Sequence, residues 1–87
     1  MRVHEFIILS DIDRSDLTEV SNQSSHFVSD ITIEFDHNDV HHVVDVKSLL
    51  GMLLVSIKAG TLIRLLTKGK DEEEAMHFMF NLFQNFQ

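Results

Sequence analysis

The sequence predicts an α+β fold, a four-stranded antiparallel sheet with three helices on one face, and three observations lead there. Segments with apolar side chains at every second residue alternate with segments where they recur every three or four, in the order strand, helix, strand, strand, helix, strand, helix. The clearest strand is apolar on one side only, as in an antiparallel sheet with one face packed and the other in water. Neither a repeat nor a low-complexity linker interrupts the 87 residues, so one domain over residues 1–87 is expected.

Val3 to Leu9 reads as the first strand. Asp16 with Glu19 three residues on has the form of an acidic capping box, and Leu17, Val20, Ser24 and Phe27 then share one helix face. This helix is intrinsically poor. Thr18, Ser21, Asn22, Ser24 and Ser25 compete for their own backbone and each loses roughly 0.5 kcal/mol against Ala, so tertiary packing must hold it. Ile31, Ile33 and Phe35 alternate with Thr32 and Glu34 in the second strand, Asp36 to Asp39 is turn chemistry, and Val40 to Val46 returns. Ser48 then caps a short helix whose stripe is Leu49, Leu50, Leu53, Leu54 and Ile57 and whose stop is Gly60, with Leu53 or Leu54 pointing inward. Thr61 to Leu66 is the fourth strand and Gly69 stops it. Asp71 to Glu74 crowd the positive end of the last helix, where each acid is favoured by roughly 0.3 to 1 kcal/mol. Its apolar face centres on Ala75, Met79, Leu82 and Phe86, and Met76, Phe78 and Phe80 widen it to about 200 degrees, against a usual stripe of roughly 100 degrees. The edges of so broad a face are expected to meet another chain or the hairpin, Phe80 first among them.

Composition narrows the function classes. Fourteen acidic residues against seven basic ones give a formal charge of -7, which repels phosphate backbones and argues against nucleic-acid binding. The chain has no cysteine, so neither a disulfide framework nor a thiolate metal site holds the fold. The apolar run Phe6 to Leu9 is too short for a signal peptide's hydrophobic region, and a cytoplasmic protein without membrane association is expected.

The second half carries a resemblance. Asp45 to Ala75 reads DVKSLLGMLLVSIKAGTLIRLLTKGKDEEEA. This resembles the phosphocarrier protein HPr of the bacterial sugar phosphotransferase system, in which a VDxKSLLGxL-like segment opens a short helix, IxxGxxIxI makes a strand and GxDEEEA begins the last helix. The resemblance implies the open-faced sandwich of that family, with the first and fourth strands adjacent. It also places Asp13 at the position of the family's phosphorylated histidine, and Ser15 and Asp16 at the arginine and proline positions of its signature. An imidazole at a helix start is nucleophilic at neutral pH, and the helix end stabilises incoming phosphate; a carboxylate shares neither property. An HPr fold without phosphohistidine chemistry is therefore expected.

Ser48 matches the serine that a dedicated HPr kinase phosphorylates in the family and in its regulatory paralogue, the catabolite-repression HPr of bacilli, which also lacks the active histidine. Leu49, Leu50 and Leu53 match the apolar patch by which the family docks enzyme I, the catabolite control protein and other partners. Together with Phe80 these leucines form the expected partner-binding set, and exposed apolar side chains on both helices suggest a weak homodimer. No cofactor is called for. Three rival chemistries attach to the acidic residues around Asp13 and to the hairpin. Asp13 could accept phosphate as an acyl phosphate, with Asp11 and Asp16 screened by a divalent cation. Asp11, Asp13 and Ser15 echo the start of a calcium loop, yet Asp16 stands at its glycine and Asn22 at its closing glutamate. The hairpin between Phe35 and Val44, longer than the family's, carries His37, His41 and His42. Adjacent His41 and His42 point to opposite faces, leaving His37 with one of them plus Asp36 or Asp39 for a metal-responsive site.

Overall fold

The computed structural model describes residues 1–87 as β1 (Arg2–Ile7), α1 (Arg14–Ser24), β2 (Asp30–His37), β3 (Val40–Asp45), α2 (Leu49–Leu53), β4 (Leu62–Lys68) and α3 (Glu72–Asn85). Every strand pairing is antiparallel and the strand order is β1-β4-β2-β3, so the first and last strands are neighbours, as the resemblance implies. Ile31, Ile33 and Phe35 of β2 with Ile63 and Leu65 of β4 form the floor of the core. Leu17 and Val20 of α1, Met52 of α2, and Ala75, Met79 and Phe83 of α3 join them in one buried cluster. On the other face of the sheet Val3, Ile7, Val43 and Leu62 remain exposed.

The first helix starts three residues before the expected Asp16. Asp13 is its N-cap, extended at φ −85° and ψ 175°, and its carboxylate accepts the Asp16 N–H at 2.8 Å. Tertiary pairing chooses between the two acids. The Ile12 N–H donates to the Ile57 carbonyl at 3.0 Å, so the chain is held extended through Ile12 and turns into helix directly after it. The helix ends at Ser24, leaving Phe27 outside it but packed against the core. The same bridge shortens α2. The chain must straighten to present Ile57 to Ile12, so the helix stops at Leu53 rather than running toward Gly60. Within α2 the inward residue is Met52, fully buried, while Leu54 is 78% exposed and Leu53 lies at the rim, contrary to the expected inward leucine.

The hairpin turns on two residues only, Asn38 at φ 53° and Asp39 at φ 63°. Both are left-handed, as a tight two-residue turn matching strand twist requires, and Asn and Asp tolerate that region. The strands therefore reach His37 and Val40, beyond the expected Phe35 end. β1, in contrast, stops at Ile7, two residues short of Leu9.

On α3 the stripe is Ala75, Met79 and Phe83, a four-residue spacing that puts Phe83 at the centre and moves Leu82 and Phe86 to its flanks. Phe80 is not an open surface. His4 and Phe6 of β1 cover it, with ring centroids 4.1 and 5.3 Å away, and the exposed aromatic of this helix is Phe78. The helix is tied to the α1–β2 loop through Asp71, whose carboxylate accepts the Val28 N–H at 3.0 Å, the Ser29 N–H at 2.9 Å and the Ser29 hydroxyl. These donors, the hydroxyl foremost, hold the Asp71 carboxyl below the usual carboxylate range. Gly69 belongs to this junction: its φ is +149°, and a Cβ there would lie 2.7 Å from the Ser29 Cα.

Candidate functional site

Two helix starts and a leucine patch lie on the α1–α2 side of the molecule. At the first, each carboxylate is already committed to backbone. Asp11 accepts the Ala59 N–H at 2.8 Å and lies 3.8 Å from the Lys58 ammonium, and Asp13 accepts the Asp16 N–H. Lys58 pairs with Asp11, and no cation lies within ion-pair distance of Asp13. Gln87 closes the loop behind them, its side-chain oxygen accepting the Leu9 and Ser10 N–H groups. Because Asp11 and Asp13 are turned to different backbone donors, they do not converge as calcium-loop ligands would. No group of three His, Asp or Glu side chains anywhere in the chain is arranged to hold a metal ion. A carboxylate at the start of α1 stabilises the helix; an imidazole there would be free to attack phosphorus.

At the second start, Ser48 is extended at φ −84° and ψ 101°, and its hydroxyl accepts the Gly51 N–H at 3.2 Å. Lys47 beside it donates from its ammonium to the Phe27 carbonyl at 2.7 Å, which pins the approach to α2 against the end of α1. Leu49 is half exposed and Leu50 is 72% exposed, so Ser48, Leu49 and Leu50 form one accessible surface, with Leu54 continuing it. Leu53 is turned partly into the core. Phe80 does not join this set. α2 packs on α1 and β3, whereas Phe80 sits against β1 at the opposite edge of the sheet.

The hairpin histidines fall on opposite faces as their adjacency requires. His42 stacks on Phe35 with centroids 5.1 Å apart and has His37 6.4 Å away. His41, on the open face, meets Asp36 through Nδ1 at 2.7 Å and Glu34 through Nε2 at 3.1 Å. Hydrogen bonding to Asp36 first, then to Glu34, raises its pKa above 6.5. The sequence alone suggests His37 with His41 or His42 plus Asp36 or Asp39, whereas the structure sets His41 between Asp36 and Glu34. The available signal was the spacing itself: two acids two residues apart on one strand face, and a histidine as far after the turn as Asp36 is before it. The two carboxylates occupy opposite nitrogens of the ring, so the trio does not form one coordination sphere.

Residues 17–85 match a family model described as the PTS HPr component phosphorylation site. The chain belongs to the HPr family. The match begins at Leu17, just past Asp13, Ser15 and Asp16. Among curated relatives, the HPr-like protein Crh of Halalkalibacterium halodurans is 39% identical over 54 residues, 62% of this chain and 60% of that protein. The alignment therefore spans about three-fifths of that relative. The solved histidine-containing phosphocarrier protein of Mycoplasma superposes with a TM-score of 0.87 at 21% identity, covering 98% of this chain and 94% of the other. Crh of Bacillus subtilis, described as a domain-swapped dimer, superposes with a TM-score of 0.73 at 22% identity over 98% of this chain and 93% of the other. Both structures share the open-faced sandwich of this HPr-family protein. No helix of the chain is long and apolar enough to cross a membrane.

Proposed function

We propose that this protein is a single HPr-like domain that does not relay phosphate between enzyme I and sugar permeases, and serves instead as a cytoplasmic regulatory or docking module of the phosphotransferase system, switched at Ser48. One observation carries the reading: at the helix start that the resemblance matches to the family's phosphohistidine, the Asp13 carboxylate is occupied in capping α1 through the Asp16 N–H. A carboxylate there already supplies the negative charge that the helix end favours, so an incoming phosphoryl group meets repulsion from Asp11, Asp13 and Asp16. Ser48 is placed differently. Its hydroxyl is accessible in an exposed stretch with Leu49 and Leu50, which suits a kinase's approach and a regulator's docking. Its partners on this reading are an HPr kinase, a transcriptional regulator and other phosphotransferase proteins, and the swapped dimer of the Bacillus subtilis relative supports weak self-association.

Enzyme I with phosphoenolpyruvate tests the first half. No acid-labile, base-stable phosphoramidate is expected on any histidine, and stoichiometric histidine labelling overturns the reading. A hydroxylamine-sensitive label on Asp13 would establish the acyl-phosphate carrier instead. Asp13→His with Ser15→Arg and Asp16→Pro is expected to gain phosphoryl acceptance. HPr kinase with ATP tests the second half, with label expected on Ser48 and none on Ser48→Ala.

A further inference from the structure

The hairpin trio lies outside the α1–α2 surface and answers to a different chemistry. His41 is directly opposite Asp36 across the β2–β3 pair, and Glu34 lies two residues further along β2 on the same open face. The imidazole spans both, with Nδ1 at 2.7 Å from one carboxylate and Nε2 at 3.1 Å from the other. A carboxylate only accepts, so both contacts are hydrogen bonds only when both ring nitrogens carry hydrogen, which is the imidazolium state. When the ring gives one proton to solvent, one nitrogen presents a lone pair to a carboxylate oxygen, and an attraction becomes a repulsion. The strand thus bolted is an edge strand, since β3 pairs with β2 alone. It begins at a two-residue turn, and because β2 pairs with β4 only as far as Glu34, the tip is backed by the β2–β3 ladder alone, with His42 stacked on Phe35 on the other face and no ion pair there.

Other charges face the same space. Arg64 of β4 is opposite Glu34, and Glu5 of β1 is opposite Arg64. With Lys58 these groups line an open cleft of about 530 Å³ beside the trio. Arg64 makes no ion pair within 4.0 Å, and Lys58 leans to Asp11 at 3.8 Å. His41 is therefore the only cation in direct contact with Glu34 and Asp36.

We infer that protonated His41 is a proton-operated bolt that fastens the tip of the β2–β3 hairpin, so that the exposed edge carrying Val40 and Val43 is held while the ring is protonated and loosens as the ring deprotonates. The bolt acts independently of Ser48 and of the identity of any partner.

Ring-nitrogen NMR and amide exchange on the intact protein test it together. Below its midpoint both nitrogens of His41 are expected to be protonated, and that midpoint is expected above 6.5. Exchange protection, corrected for intrinsic rates, is expected to fall with rising pH at the Asp36–His41 end of the hairpin and to stay level at the Thr32–Asp45 end. Glu34→Gln with Asp36→Asn should lower the His41 midpoint. His41→Arg, permanently charged and carrying donors on both sides, should keep the tip protected across the whole range, and His41→Gln should leave it loose across the whole range. A His41 midpoint at or below 6.5, or tip protection that does not change with pH in the wild type, overturns the inference. All these substitutions are at solvent-facing positions of the open sheet face, so a folded protein is expected in each case.

Discussion

Asp13 at the start of α1 and Ser48 at the start of α2 hold the same backbone position, extended and accepting the N–H three residues on at 2.8 and 3.2 Å, but they bring different charge to it. Both geometries meet the same need, an acceptor for helix N–H groups that have no partner in the preceding turn. Geometry therefore does not separate the two helix starts. Charge does: the α1 start already holds a carboxylate, with Asp11 and Asp16 close in sequence, whereas the α2 start holds a neutral hydroxyl among exposed leucines. The two helices also differ in what anchors them. α1 buries Leu17, Val20, Ser21 and Ser24 along its length, while the five residues of α2 bury Met52 alone.

That difference sets the largest expected effect. Met52→Ala should destabilise the protein by about 2 to 5 kcal/mol in urea unfolding, and Leu50→Ala by less than about 0.5 kcal/mol, because one empties a filled site and the other trims an exposed side chain. Equal costs would mean that α2 is not held by Met52. Next, Asp13→Ala should cost roughly 0.5 to 2 kcal/mol by removing the α1 cap, whereas Asp13→Ser should be close to neutral since serine caps as well. If Asp13→Ser were as damaging as the alanine variant, the charge and not the acceptor would be what α1 requires.

Ser48→Ala should fall at the low end of about 0.5 to 2 kcal/mol, the cap of so short a helix supporting few residues, and a melting temperature equal to wild type would remove Ser48 from the cap role. The smallest effects are those of pH. Asp71 has its carboxyl lowered by the Ser29 hydroxyl, so its contribution is present above pH 3.8 and is lost as pH falls through its folded value. His41 has its pKa raised by Asp36 and Glu34, so its contribution is present below pH 6.5 and is lost as pH rises through its folded value. Thermal melts across pH on Asp71→Asn and His41→Gln should flatten the acid and the alkaline limb respectively; a variant with an unchanged limb excludes that group as its source.

Local pattern made much of this molecule legible. Ile31, Ile33 and Phe35 face the core because side chains alternate along a strand, and the Ser48 cap follows from a serine preceding a leucine stripe. The seven-element order came from the same periodicities. The strand order β1-β4-β2-β3 did not, since pairing of the first and last strands is non-local; it was legible only through the likeness of Asp45 to Ala75 to a known family. The candidate site divided in the same way. Ser48, Leu49 and Leu50 are contiguous in sequence and contiguous on the surface, whereas Phe80 was separated from them by the width of the sheet.

What the sequence by itself determined was the kind of element each segment forms and the charge it carries, because backbone propensity, side-chain period and ionisation belong to neighbouring residues. Tertiary structure decided where those elements stop and which side chains meet. The Ile12–Ile57 bridge moved the start of α1 to Asp13 and cut α2 at Leu53, because a residue held extended in a bridge is unavailable to a helix. The covering of Phe80 by His4 and Phe6, and the placing of His41 between Asp36 and Glu34, likewise arise from residues brought together across strands and layers. Such contacts depend on register and packing, and neither is written in the period of any one segment.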